Sequence, residues 1–114
     1  MATGDDLRRM ALALDGTIEA PHFDRAAFKV ARIYVTLAAD GLSANFMFTP
    51  EEQALKCLTA PDAFAPVPNA WGLKGATTAT LARLSPTELE SALRTAWVAA
   101  QPRPNKRRKA DSSW

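Results

Sequence analysis

The sequence is poor in the residues from which metal centres and disulfide frameworks are built. It has one cysteine, Cys57, and one histidine, His22, among 114 residues. A single thiol cannot close an internal disulfide, and no cysteine or histidine pair stands at metal-ligand spacing. We interpret His22 as a loop residue and Cys57 as a small buried hydrophobe. The sequence therefore predicts a domain that folds without disulfide or structural metal, in a reducing compartment.

Long apolar runs and targeting patterns are also missing. No stretch approaches about 18 consecutive apolar residues, the length from which a membrane-spanning helix is inferred. Residues 1–6 are acidic and lack the basic start and apolar run of a signal peptide. These absences predict a cytoplasmic protein without a membrane partner.

Signatures of catalysis and of cofactor binding are absent as well. Gly72 and Gly75 do not form a glycine fingerprint for phosphate or dinucleotide binding. The paired acids at 5–6 and 51–52 fall in the first turns of predicted helices, where negative charge complements the helix macrodipole. With no constellation for nucleophilic or acid–base chemistry, we expect a non-enzymatic protein without a cofactor.

What the chain has is enough apolar material for one core, and an uneven charge. Apolar residues make up 47% of the chain, which suits a single domain over residues 1–101. That domain contains nine Lys or Arg and eleven Asp or Glu, a net charge of −2. Residues 102–114 carry a net charge of +4 and are predicted to be a disordered tail. The basic residues of this tail are Arg103, Lys106, Arg107, Arg108 and Lys109.

The first half of the chain changes from helical to strand periodicity. Thr3 to Asp15 has apolar residues at helical spacing, with Gly16 as the stop. From Ala26 the period becomes two, which predicts a strand, a turn near Ala31 and a second strand. Asp40-Gly41 marks a hairpin turn into a third strand. The apolar residues assigned to one face are Leu7, Met10, Ala11 and Leu14 in the helix, Ile33, Val35 and Leu37 in the second strand, opposite Tyr34 and Thr36, and Ala44, Phe46 and Phe48 in the third.

The second half begins with a capped helix. Thr49-Pro50-Glu51-Glu52 combines a capping box with proline in the first turn, and this helix should run to about Thr59. We expect a loop over residues 60–70 and a turn or hairpin tip over residues 71–75. Trp71 is better explained as a core or turn anchor than as an exposed wedge.

A fourth strand and a last helix complete the chain. The strand is predicted over Thr77 to Ala82, and Ser85-Pro86-Thr87-Glu88 repeats the capping pattern. The helix that follows should end near Gln101 and pack on the sheet through Leu89, Ala92, Leu93, Ala96 and Trp97. The predicted fold is α+β, in the order α-β-β-β-α-β-α, with helices on one face of a small antiparallel sheet.

Three stretches together resemble the MmcQ/YjbR family. They are AFKVARIYVTL at residues 27–37, FTPEEQAL at 48–55 and FAPVPNAWGLKGAT at 64–77. The likeness covers roughly residues 5 to 101 and includes the helix that ends in Ala96-Trp97. It implies a CyaY-like α+β fold and a "double wing" mode of DNA binding, in which β-hairpins flank a helix. Family members often have a glycine and an extra basic residue in the first hairpin turn. Here Ala31 stands alone, so the wing should be shorter and less basic.

These observations favour duplex DNA as the partner. Basic side chains at hairpin tips are suited to phosphate or groove contact, and a basic arm adds nonspecific phosphate contacts. The same arm is also consistent with a nuclear localisation signal or with a solubilising role. The candidate DNA-binding residues are Arg25, Lys29, Arg32 and Lys74 in the domain, and Arg103, Lys106, Arg107, Arg108 and Lys109 in the tail.

Two alternatives remain open at this stage. The basic residues of the domain are sparse enough to be ordinary solvated surface. The net charge of −2 also suits a protein-interaction or small-ligand-binding module without a nucleic-acid role. For such a module, the proline-rich loop from Pro61 to Pro68 would shape a cleft beside Phe64 and Trp71.

Overall fold

The computed structural model describes residues 1–102. Six strands form a single sheet in the order β1-β2-β3-β4-β6-β5, and every neighbouring pair is antiparallel. This confirms the α+β class with an antiparallel sheet. The elements are α1 (Gly4–Ala13), β1 (Ile18–His22), β2 (Arg25–Lys29), β3 (Ile33–Leu37), β4 (Ser43–Met47), α2 (Pro50–Thr59), β5 (Phe64–Pro66), α3 (Ala70–Leu73), β6 (Ala76–Thr80), a 3₁₀ turn (Leu81–Arg83) and α4 (Pro86–Ala100).

The structure adds three elements to the predicted order, namely β1, β5 and α3. β1 and β5 are the two edges of the sheet, and each contains a proline, Pro21 or Pro66. Proline is tolerated at an edge because its missing N–H can face away from the ladder. β1 is also mostly exposed and so lacks apolar alternation. Both edge strands therefore have the composition of loops. For this reason the apolar periodicity of the sequence did not predict them as strands.

The helix starts follow the predicted capping chemistry. Thr49 accepts a hydrogen bond from the Glu52 amide, and the Glu52 carboxylate accepts one from the Thr49 amide. Ser85 and Glu88 form the same box at the start of α4. A third box, which the sequence analysis did not identify, caps α1 through Thr3. Each such cap satisfies two amides that have no partner within the helix.

One face of the sheet is covered by helices. α4 packs on β3 and β4, and α1 packs beside α4. Between these layers lies a continuous core that includes Phe28, Val35 and Phe46, all fully buried. Trp97 is only half-buried against this core, because its indole N–H donates to the Asp15 carbonyl at 3.0 Å at the rim. The prediction of a core position is therefore confirmed for Phe46 and only partly for Trp97.

A β-bulge changes which residues of β3 face the helices. Lys29 pairs with Ile33, but the next pair is Phe28 with Val35, so Tyr34 is the extra residue. Tyr34 is fully buried, and its hydroxyl donates to the Ala11 carbonyl of α1 at 3.3 Å. The expectation that Tyr34 lies opposite Val35 is wrong, because the bulge interrupts the two-residue alternation. Ile33 is consequently on the other face of the sheet.

No helix among residues 1–102 combines the length and the apolar character needed to cross a membrane. The predicted tail begins at Pro102, and residues 103–114 lie outside the described residues.

Candidate functional site

The sheet face turned away from α1 and α4 is bordered by the β1–β2 turn and by the segment of α3, and residues of both line a cavity over it. We call this sheet face the open face. Its central cross-strand row runs through Thr36, Asn45 and Thr78, which alternate along their strands with residues of the helix-covered core. A concave cavity of about 680 Å³ lies over this row. The open face, the cavity above it and the side chains at its two ends form the candidate site.

An exposed phenylalanine stands at one end of the cavity. Phe23 lies in the two-residue turn between β1 and β2, and 92% of its surface is exposed. Its φ of 59° is in the left-handed region, where a residue with a Cβ costs about 1–3 kcal/mol. The His22 ring packs edge-on against it at 4.8 Å between centroids. A large apolar side chain thus occupies a strained, solvent-facing position at which glycine or asparagine would be cheaper.

Trp71 provides a second aromatic wall. It belongs to the short helix α3 and is 64% exposed, so of the expected core or turn position the core alternative is wrong, and Trp71 lies in the connection between β5 and β6. The segment is held in place by its backbone. The Asn69 side chain accepts from the Trp71 amide at 2.9 Å, and Gln53 of α2 donates to the Gly72 and Ala76 carbonyls. The ring is therefore presented to solvent by a well-bonded segment.

Gly72 permits this arrangement through close backbone approach. A Cβ at Gly72 would lie 1.8 Å from the Val67 carbonyl oxygen, so only glycine fits without displacement of the chain. Gly75 has φ of 114° and approaches the Phe48 carbonyl oxygen in the same way. The expected turn or hairpin tip is confirmed, because residues 67–75 connect the antiparallel strands β5 and β6, and a short helix that Gly72 packs against its neighbours lies within this connection.

The floor of the cavity carries fixed polar groups. The Arg25 guanidinium donates to the Thr36 hydroxyl at 2.8 Å and to the Thr36 carbonyl at 3.2 Å. Thr78 donates its hydroxyl proton to the Asn45 side-chain oxygen at 2.8 Å. That bond turns the Asn45 amide nitrogen, a double donor, away from Thr78. Among the described residues it has no partner, so it can serve a ligand in the cavity.

The four basic residues predicted for the domain divide between the two ends of the open face. Arg25 lines the cavity beside Phe23. Lys29, at the far end of β2, pairs with Ile33, and its neighbour Arg32 donates to the Ala99 carbonyl of α4 at 3.3 Å. The Lys74 ammonium lies 5.4 Å from the Trp71 ring centroid, a cation–π contact. The first wing therefore carries Lys29 and Arg32, and Lys74 lies in the connection between β5 and β6, a second antiparallel hairpin that contains α3.

A second, smaller cavity links Arg32 with Lys74. It has a volume of about 270 Å³ and shares Ile33 and Met47 with the main cavity. Ala99 and Ala100 of α4 also line this cavity, so it lies at the end of the sheet, and Arg32 and Lys74 stand at that end beside the open face. Phe23 was not identified from the sequence. The sequence contained one signal for it: Phe23 is a large aromatic residue in a predicted loop, and it does not belong to any apolar periodicity.

A larger cavity of the described residues lies elsewhere and has a different character. About 840 Å³ in volume, it is lined by Asp5, Arg8, Glu19 and Asp40 and adjoins the open face at Phe23 and Arg25. The Arg8 Nε lies 3.1 Å from a Glu19 carboxylate oxygen, and this carboxylate raises the pKa of Arg8. Because Arg8 is paired with Glu19 and further acids line this cavity, we assign the site to the open face.

His22 and Cys57, the residues that raised the question of metal or thiol chemistry, do not form such a site among the described residues. The described residues include no group of three or more His, Cys, Asp or Glu that could hold a metal ion. Cys57 lies on α2 against the core, and burial raises the pKa of its thiol. His22 lines the open face without Cys57, so the structure does not bring the two together at the cavity.

Comparison with known proteins identifies relatives of the whole fold. The family model described as YjbR matches residues 12–99. The crystal structure of Deinococcus radiodurans protein DR2400, with a domain described as DUF419, superimposes with a TM-score of 0.75 at 25% sequence identity. The superposition covers 96% of this chain and 88% of that one. No curated protein matches the sequence. Because the family model spans most of the chain, including the open face, the chain belongs to the YjbR family.

Proposed function

We propose that this protein is a non-enzymatic DNA-binding protein that contacts duplex DNA weakly and mainly through backbone phosphates. The basic residues of the open face and the five cations of the tail supply the contacts. One observation carries the proposal. Arg25, Lys29 and Lys74 border the open face, whose main cavity is lined by one acidic residue, Asp24.

The distribution of the acidic residues supports this proposal. The domain as a whole has a charge of −2, which by itself opposes phosphate binding. Asp6 and Glu88 stand at helix starts in the layer behind the sheet. Asp24 lines the main cavity, and further acids line the larger neighbouring cavity. The smaller cavity with Arg32 and Lys74 has no acidic lining residue, so a polyanion that approaches this end of the open face meets locally positive potential.

The salt dependence of duplex binding tests the proposal. We would compare the full chain with the triple variant Lys29→Ala, Arg32→Ala and Lys74→Ala. The slope of log K against log salt concentration is negative, and each phosphate contact adds about 0.9 to its magnitude. The triple variant should therefore bind more weakly, with a slope magnitude lower by about 2 to 3.

A charge-matched control separates this site from general electrostatics. Lys56, Arg83 and Arg94 are three other basic residues, which lie on α2, the 3₁₀ turn and α4 and not on the strands or turns that border the open face. Their replacement by alanine removes the same charge and should leave the slope almost unchanged. Equal losses from both triples would contradict a defined site, and no duplex binding at low salt would refute DNA binding altogether.

The main cavity favours a second candidate function, a small-ligand-binding module. Its volume of about 680 Å³ lies within the range of about 300–1,000 Å³ typical of small-molecule sites. Aromatic walls with a few polar groups are also typical of such sites. This function would be favoured if the duplex failed to bind while small apolar ligands shifted the thermal unfolding midpoint.

A further inference from the structure

We propose that the open face binds single-stranded DNA by stacking unpaired bases on Trp71 and Phe23. This deepens the proposed function and rests on it, because the same basic residues would contact the phosphates. It departs from that function in the chemistry that provides the affinity. The affinity comes from aromatic rings that stack on the flat faces of unpaired bases. In a duplex these faces are not accessible, because each base stacks on its neighbours.

The first argument is the exposure of two aromatic rings at the open face. Phe23 and Trp71 both line the 680 Å³ cavity, with 92% and 64% of their surfaces exposed. Neither ring is needed by the core, and Phe23 occupies a backbone conformation that disfavours any residue with a Cβ. Aromatic platforms over a sheet, within a basic surface, are the usual means of holding single strands without sequence preference.

The second argument is the order of chemical groups around Trp71. Lys74 stands over the indole but does not line the cavity that Trp71 lines. The ammonium therefore lies outside the cavity, and the cavity side of the ring remains available to a base. A base stacked there has the Lys74 charge within reach of its flanking phosphate, which is the charge complementarity that a single strand requires.

The third argument is the polar floor. Asn45 lines the same cavity as the two rings, and because its side-chain oxygen accepts from Thr78, its amide nitrogen is not engaged in that bond. This nitrogen can donate to a carbonyl oxygen of a stacked base, such as those of thymine. Arg25, held by Thr36, supplies a second set of fixed donors next to Phe23. The open face thus offers hydrogen-bond donors both to bases, through Asn45, and to phosphates, through Arg25.

Fluorescence anisotropy with labelled oligonucleotides tests the proposal on the full chain. The probes are a thymidine oligonucleotide, an abasic oligonucleotide of equal length and charge, and a duplex of equal length. The thymidine strand should bind more tightly than the abasic strand. Trp71→Ala should weaken thymidine-strand binding by about 5- to 150-fold, the effect of removing one stacked base, and leave abasic and duplex binding nearly unchanged.

Two further variants distinguish stacking from general effects. Trp71→Phe retains a ring and should keep most of the affinity for the thymidine strand. Leu58→Ala removes an apolar side chain that is 79% exposed on α2, outside both cavities, and should have no effect. Circular dichroism should show all three variants folded, because both side chains are largely exposed.

The outcomes separate this inference from the proposed function. If the duplex binds but the thymidine and abasic strands bind equally, or Trp71→Ala weakens every probe alike, the stacking inference fails and phosphate binding stands. If only the thymidine strand binds, the duplex proposal fails and stacking stands. If free thymidine monophosphate competes as strongly as the oligonucleotide, the site is a free-nucleotide site and the inference is overturned.

Discussion

At the scale of single residues, Phe23 shows that the candidate site includes a strained backbone conformation. Phe23 holds φ of 59° with its ring in solvent, next to the similarly exposed His22. A left-handed residue with a Cβ costs about 1–2 kcal/mol relative to the right-handed conformation. No burial offsets this cost, so a stability argument alone does not explain the residue.

Replacement of Phe23 by glycine should therefore stabilise the fold. We expect Phe23→Gly to raise the free energy of unfolding by about 1 kcal/mol, because glycine adopts positive φ without strain. Urea denaturation measures this change. Phe23→Ala is the control, since it removes the ring but keeps the strain. If Phe23→Gly proves less stable than Phe23→Ala, the backbone at this turn is not strained.

Tyr34 predicts how stability depends on alkaline pH. Burial raises the pKa of its phenol above the ordinary value of 10.0, so the folded state holds this proton more tightly than the unfolded state does. The tyrosine therefore favours folding fully below pH 10, and stability is lost as the pH rises from there through the folded-state pKa. Cys57 acts in the same direction from its ordinary value of 9.0.

Tyr34→Phe isolates this contribution. The variant should lose less stability than the natural chain between pH 10 and 12, because the remaining groups, Cys57 included, are common to both proteins. Tyr34 is the sole tyrosine, so its ionisation can be followed directly by phenolate absorbance in native and denaturing conditions. Equal midpoints in both conditions would show that the phenol is not buried.

At the scale of elements, the site depends on how α3 is packed. The backbone of this four-residue helix is bonded by Asn69 and Gln53, and its Gly72 touches the Val67 carbonyl. A helix this short has little stability of its own. The position of Trp71 is therefore decided by these tertiary contacts.

Gly72→Ala should consequently disrupt both stability and binding. The added Cβ cannot fit at 1.8 Å from the Val67 oxygen, so the segment must shift, at a cost of about 1–3 kcal/mol. Thermal unfolding measures the loss. Gly41→Ala is a comparison for backbone strain alone, because Gly41 has positive φ but nothing within 4 Å of its added Cβ, and it should cost about 1–2 kcal/mol without any effect on binding. An unchanged unfolding midpoint for Gly72→Ala would contradict the packing described for α3.

At the scale of the whole molecule, charge is divided between a negative domain and a positive tail. The five tail cations fall on residues 103–109, which lie outside the described residues. Their contribution to binding stays a prediction. The domain alone would depend on a few local cations, and its duplex affinity should be weak.

Deletion of residues 102–114 tests this division. If all five tail cations contact phosphates, the magnitude of the slope of log K against log salt should fall by about 4 to 5. Replacement of Lys29, Arg32 and Lys74 by alanine in the shortened chain should then remove most of the remaining binding. Salt titration of duplex binding measures both steps. An unchanged slope after deletion would mean that the tail makes no phosphate contact.

The sequence by itself determined the elements whose stability is local. The capping boxes at Thr49 and Ser85 specify helix starts through contacts three residues apart, and the alternation of β4 assigns Phe46 to the core. The motifs at 27–37, 48–55 and 64–77 also predicted the family. In each case the information lies within a few neighbouring residues, so a linear pattern is sufficient.

Only the tertiary structure decided the site. The bulge at Tyr34 moved Ile33 to the open face, and strand pairing turned two loop-like segments into the edges of the sheet. Phe23 and Trp71 lie 48 residues apart in sequence, and their common cavity arises because β1 and the segment before β6 flank the same sheet face. Contacts of this kind depend on register and packing between distant segments, which local periodicity does not encode.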